Sequence, residues 1–257
     1  MGAFCQYTVV DPAETVHSRF AVSPSTSLSI KVVGELSADL RAVIFDWGGV
    51  VTSPIVETVT AWLEAERIDR ESYMAAMRPW VRSAYGPDTA ESPIHALERG
   101  EVSDAEFEAT LAAALVRIDG TPVQAPGLLR RMFDASVILD EMLELIKDLR
   151  SSGIRTSLLS NSWGGSEDGY PRHLFAGLFD DVVISGEVGM RKPEERIFQL
   201  AARRLGLVPA DCVFVDDVEG NVVAAQALGF TTVLHEDPVQ TRAVLSALLT
   251  RNGSPVL

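Results

Sequence analysis

Only two cysteines, Cys5 and Cys212, occur in 257 residues. That excludes a disulfide framework and a thiolate-ligated metal centre, and Cys212, in an apolar run, reads as an inert core residue. Positive charge is scarce: 22 Lys and Arg face 36 Asp and Glu, giving a formal net charge of −14. Nucleic acid, whose phosphates require a basic face, is therefore not an expected partner. Lys31, Lys147 and Lys192 are the only lysines, so chemistry that needs an ammonium group has few candidates. No apolar stretch approaches the ~20 residues of a membrane-spanning helix, and no membrane contact is expected. The N-terminus lacks the basic start and apolar core of a signal peptide, so a cytoplasmic location is expected. What is present is ordinary for a globular chain: 47% hydrophobic and 23% charged residues. The length suits one large domain or a domain carrying a smaller insert.

Residues 1–40 mix Ser, Pro, Thr and short apolar patches without periodicity and read as an N-terminal extension. From Arg41 the text becomes regular. Strand-like runs at 42–46, 155–160, 181–185, 212–216 and 231–234 alternate with helix-like runs at 140–151, 193–205 and 220–228. Alternation of this kind predicts an α/β fold, a parallel sheet covered on both faces. Residues 54–135 differ, carrying helical periodicity and no convincing strand. Ser103 and Glu106 there have capping-box spacing ahead of Phe107, Leu111 and Leu115. The expected organisation is a Rossmann-like core at 41–53 and 136–240, an inserted all-helical cap at 54–135, and a C-terminal helix or tail at 241–257.

Four polar features fall at carboxyl ends of expected strands: Asp46, then Ser160 and Asn161, then Lys192 after a short loop, then Asp216 and Asp217. In a parallel sheet those ends share one edge, where open α/β folds place their ligands. Taken singly, each residue is as easily a turn former or a helix cap. Together they suit phosphate-ester chemistry. A carboxylate such as Asp46 can attack phosphorus and split hydrolysis into two steps. The negative charge spread over the transferring oxygens then needs cancelling. Magnesium, which favours carboxylate oxygens, suits Asp46, Asp216 and Asp217, while Lys192 and Ser160 supply donors to the phosphoryl oxygens. Asn221 either orients a core residue or caps a helix. Arg191 reads as solvated or structural, Trp47 and Trp163 as pocket-shaping or core residues, and His235 as a surface or loop residue.

The ordered segments Phe-Asp-x-Gly-Gly-Val, Leu-Ser-Asn, Gly-Met-Arg-Lys-Pro and Phe-Val-Asp-Asp resemble the haloacid dehalogenase-like hydrolase superfamily. Closest is the phosphatase branch that includes the N-terminal domain of soluble epoxide hydrolase. The likeness spans roughly residues 41–235. It implies Asp46 as nucleophile, Ser160, Asn161 and Lys192 around the phosphate, and magnesium held by Asp46, Asp216, Asp217 and the Gly48 carbonyl. The substrate it implies is a small phosphorylated metabolite. Gly48 departs from the pattern: most phosphatases of the superfamily carry a second Asp there as general acid and base, a contribution typically worth ~10²–10⁴-fold. The chain is then a slow phosphatase, one whose leaving group needs no proton, or one that borrows an acid from the cap, with Tyr85, His95 and Glu98 as candidates. Alternatives are a family member that binds a phosphometabolite or partner without turnover, and a haloacid dehalogenase, against which the doubled Asp216 and Asp217 argue.

Overall fold

A computed structural model describes residues 40–85, 92–163, 170–251 and 254–255; the expected extension lies almost wholly outside them. Five strands, β1 (Ala42–Phe45), β2 (Arg155–Ser160), β3 (Asp181–Ile184), β4 (Cys212–Asp216) and β5 (Thr231–Leu234), form one sheet in the order β3-β2-β1-β4-β5. Every pairing is parallel. Their continuous apolar text is explained by burial on both faces, as the alternation of side chains along a strand requires. Val43, Phe45, Val213 and Val215 join one apolar cluster with the helices α6 (Asp140–Ser151), α7 (Arg172–Leu178) and α11 (Pro238–Leu248). Ala42, Ile44 and Phe214 face the other way, onto α9 (Glu195–Arg204) and α10 (Glu219–Ala227). The α/β, Rossmann-like expectation holds.

The chain leaves this sheet after β1 and returns before β2. At the crossing, the Ser53 N–H donates to Val137 at 2.7 Å and the Leu139 N–H to Val51 at 3.0 Å. Between these points lie α1 (Ile55–Ala65), α2 (Arg70–Tyr85), α3 (Pro93–Glu98), α4 (Asp104–Ala114) and α5 (Leu128–Phe133). They close around their own apolar cluster of Trp62, Ile94, Leu97, Phe107, Leu111, Leu128 and Met132. Among the described residues of this segment only isolated β-bridges occur. The capping box forms as expected: Ser103 Oγ accepts from the Glu106 N–H, and Glu106 accepts from the Ser103 N–H at 3.0 Å.

Several boundaries move. The first strand ends one residue earlier than expected, and Asp46 stands just beyond it. The helix expected at 193–205 begins at Glu195, because Glu194 closes a turn by donating its N–H to Arg191 at 2.8 Å. The expected C-terminal helix or tail starts earlier, at Pro238 with Asp237 as N-cap, and ends in a small antiparallel pair, Thr250–Arg251 with Ser254–Pro255. Phe198 packs edge-on against Phe214 with ring centroids 5.2 Å apart. Phe198→Ala is expected to cost about 3–5 kcal/mol in urea denaturation with an unchanged m-value.

Candidate active site

The chain builds β1, β2 and β3 outward on one side of the sheet and then crosses over to build β4 and β5 on the other. The reversal lies between β1 and β4, the place where open α/β sheets leave a crevice. Phe45 is in register with Val215, so the next residues, Asp46 and Asp216, emerge side by side. The Asp46 N–H extends the ladder by donating to the Val215 carbonyl at 2.9 Å. Beyond it the backbone turns, and the Asp46 carboxylate accepts from the Trp47 N–H at 2.7 Å.

Lys192 reaches this point from the loop before α9. Its ammonium lies 2.8 Å from Asp46 and 2.6 Å from Asp216, at 1% exposure. Asn161 holds the lysine backbone with both ends of its amide, donating to the Lys192 carbonyl at 3.0 Å and accepting from its N–H at 2.8 Å. Asp216 is wholly buried; it also accepts from the Val218 N–H and from the Asn221 amide, at 3.1 and 3.2 Å to its two oxygens. Asn221 therefore orients a site carboxylate, one of the two roles its sequence left open. Asp217 completes the group over Gly49. A Cβ on Gly49 would stand 2.3 Å from an Asp217 oxygen, and its φ of +79° favours glycine as well. Gly48 is different: a Cβ there would meet only Ile55, at 3.7 Å.

Oxygen atoms of Asp46, Asp216 and Asp217 lie within 4.8 Å of one another. An all-oxygen donor set of this size fits a hard divalent cation such as magnesium. The electrostatics agree. Burial pushes the Asp46 carboxyl from 3.8 up to about 7, with Lys192 opposing the rise and Asp216 and Asp217 adding to it. Burial and the adjoining Asp216 charge raise Asp217 to about 6. Burial alone would discharge Lys192, but Asp216 and Asp46 more than offset it and hold the ammonium above its ordinary range.

Beside this cluster opens a cavity of about 350 Å³. Ser160 and Tyr170 share a hydrogen bond of 2.9 Å on its wall, and burial keeps the Tyr170 phenol protonated well above neutral pH. Trp47, Ile55, Phe133, Ile138 and Trp163 make the rest of the lining largely apolar, so both tryptophans shape the pocket. Among the described residues, no Asp, Glu, His, Lys or Arg lines it. Of the expected substitute acids, the Tyr85 side chain lies outside the described residues, and His95 is on α3, away from the lining. Glu98 is fully buried and engaged by Arg191 and by the Trp163 indole N–H at 3.0 Å, which removes it as a donor to substrate. Arg191 is not solvated but 3% exposed in that ion pair. His235 lies in the loop after β5, one of the two placements expected, but it is buried there, with Nδ1 2.7 Å from the Thr241 hydroxyl. Sequence reasoning missed Tyr170, which follows a glycine-rich stretch and carries no spacing signal.

Residues 40–229 match the family described as haloacid dehalogenase-like hydrolase. The chain belongs to that family, and its expected class, a hydrolase enzyme, follows. Acyl-CoA dehydrogenase family member 10 of Mus musculus is 30% identical over 81% of this chain, which spans 19% of that protein. Bifunctional epoxide hydrolase 2 of Sus scrofa is 26% identical over 77% of this chain and 37% of its own length, in keeping with the expected branch. The chain thus spans less than two fifths of both relatives. Sesquiterpene phosphatase astK of Aspergillus oryzae is 27% identical, with 81% of this chain and 96% of that protein covered. A family enzyme of Bacteroides thetaiotaomicron, solved as a magnesium complex, shares the fold at TM-score 0.52 and 23% identity, over 77% of this chain and 96% of that one.

Two acids titrating near 7 and 6 in the folded state keep protons that the unfolded chain, titrating near 4, has lost. The folded state binds more protons between about pH 4 and 7, so stability falls as pH rises through that window. Denaturation in the presence of a chelator is expected to give that decline, and Asp46→Asn to flatten it.

Proposed function

We propose that this protein is a magnesium-dependent phosphatase of small phosphorylated metabolites. The observation that carries the reading is the Lys192 ammonium bonded to Asp46 and Asp216 beside a third carboxylate. An anionic nucleophile, an ammonium and a cation seat within one crevice suit phosphoryl transfer. Asp46, the Gly48 carbonyl, Asp216 and Asp217 would hold the ion, which when bound neutralises the carboxylates and the phosphoryl oxygens.

In this reading an Asp46 oxygen attacks phosphorus, the ester P–O bond breaks, and the leaving oxygen departs with the bonding pair. Water then hydrolyses the aspartyl-phosphate to inorganic phosphate and restores the carboxylate. Lys192 and Ser160 bind phosphoryl oxygens, and Asn161 contributes by holding Lys192 in place. Residues 54–135 act as a cap on a core of 41–53 and 136–240. The acidic charge, the sparse cysteines and the absence of a described helix able to cross a membrane fit work on small solutes in the cytoplasm.

The cavity supports an apolar leaving group. Among the described residues that line it, Asn161 bonds to Lys192 and Thr52 to the Trp47 carbonyl, while Trp47, Ile55, Phe133, Ile138 and Trp163 offer a leaving group mainly apolar surface. A sugar would give up water without replacement, which costs affinity. The match over 81% of this chain to a protein named a sesquiterpene phosphatase is consistent with this.

Purified protein with magnesium is expected to hydrolyse p-nitrophenyl phosphate, and Asp46→Asn or a chelator to reduce the rate to background. Ligand-induced stabilisation without product would instead favour a binding protein. With Gly48 supplying no acid, aryl esters are expected to outpace alkyl esters, and Gly48→Asp to narrow that gap by about 10²–10⁴-fold through protonation of the alkyl leaving group. Benzyl phosphate is expected to exceed a sugar phosphate of similar leaving-group acidity in kcat/KM.

A further inference from the structure

Glu98 is the last residue of α3, in the helical segment, yet its contacts are with the core. Its carboxylate pairs with the Arg191 guanidinium and accepts from the Trp163 indole N–H at 3.0 Å. Its backbone carbonyl accepts from the Ser185 hydroxyl, whose oxygen in turn accepts from the Ser162 N–H at 2.7 Å. The adjoining chain is pressed equally close: a Cβ on Gly100 would stand 2.8 Å from the Gly186 carbonyl oxygen. Arg99 adds an ion pair to Glu194 at 2.9 Å.

Two of the loops that Glu98 reaches adjoin residues of the site. Arg191 immediately precedes Lys192, whose ammonium bridges Asp46 and Asp216. Trp163 lies two residues beyond Asn161 and forms part of the cavity wall. An ion pair with neither partner exposed costs heavily in desolvation and is a weak source of stability. Both Glu98 oxygens are engaged, and the residue does not line the cavity, so proton transfer to substrate is not its task. We propose that Glu98 is a positioning residue, whose one carboxylate on the helical segment sets Lys192 through Arg191 and the cavity wall through Trp163. This rests on the phosphatase reading of the site. Docking of the segment and assembly of the reactive groups are then one event.

The test compares the full chain, Glu98→Gln and the double variant Glu98→Leu/Arg191→Met, with magnesium and p-nitrophenyl phosphate. Replacing a buried ion pair by packed apolar residues commonly preserves stability, so the double variant separates stability from placement. Expected is a loss of about 10²-fold in kcat in both variants with KM little changed, while the double variant melts at or above the wild-type temperature. A stable double variant with wild-type kcat, or Glu98→Gln with wild-type kcat, overturns the proposal. Crystal structures of the variants give a readout independent of turnover: the Lys192 ammonium is expected to leave one of its two carboxylate contacts, and an unmoved ammonium overturns the claim. If neither variant folds, the pair is a folding requirement and the positioning role falls. If the wild type hydrolyses no phosphate ester, the phosphatase reading fails, and the crystallographic comparison still decides the placement of Lys192.

Discussion

A buried ammonium keeps its charge only where anions replace the water it has lost. Lys192 does so between Asp46 and Asp216, and much of the surrounding structure serves that contact. The β1–β4 register sets the two carboxylates side by side, Asn161 fixes the lysine backbone, and the Phe214 ring lies 5.7 Å from the ammonium. Three carboxylates and one ammonium leave an excess of negative charge in a confined space. Burial, with that excess adding to it, lifts Asp46 and Asp217 out of the usual carboxylate range. One arrangement accounts both for the raised acids and for an oxygen donor set that fits a divalent cation.

The chain as a whole repels anions, with a net charge of −14. On the proposed phosphatase reading, a phosphate ester would depend on positive charge supplied locally, by Lys192 and an ion, rather than on a broad attractive field. Substrate preference would on that reading come from elsewhere, the largely apolar wall made by residues of both the sheet edge and the helical segment. Reactivity and selection are thus assigned to different parts of the chain.

Most of the sheet was legible because strands buried on both faces must be written in apolar residues, and their polar ends were conspicuous for that reason. Asp46, Asp216 and Asp217 stand out as candidates by their places at the ends of such runs, and Lys192 by its place after a short loop. The helix starting at Glu195 was misjudged by two residues, since Pro193 signals a helix start equally well one turn early. Arg191 and Glu98 were unreadable as a pair: they are far apart in the chain, and arginine and glutamate are usually exposed. Their burial is decided by tertiary packing alone. Tyr170 was hidden likewise, because its hydroxyl bond to Ser160 is a tertiary contact with no spacing signal. The burial of His235 in its loop was not legible because Thr241, its partner, is brought to it by the packing of α11.

The chain enters and leaves the helical segment at a single point, where Ser53 meets Val137 and Val51 meets Leu139. A passage whose two ends lie against each other can be replaced by another of different length without shifting a strand. Evolution could graft a new lid between these positions and inherit the reaction centre intact, provided the incoming helices offered a carboxylate to meet Arg191. Such a chimera would change its diet and keep its chemistry.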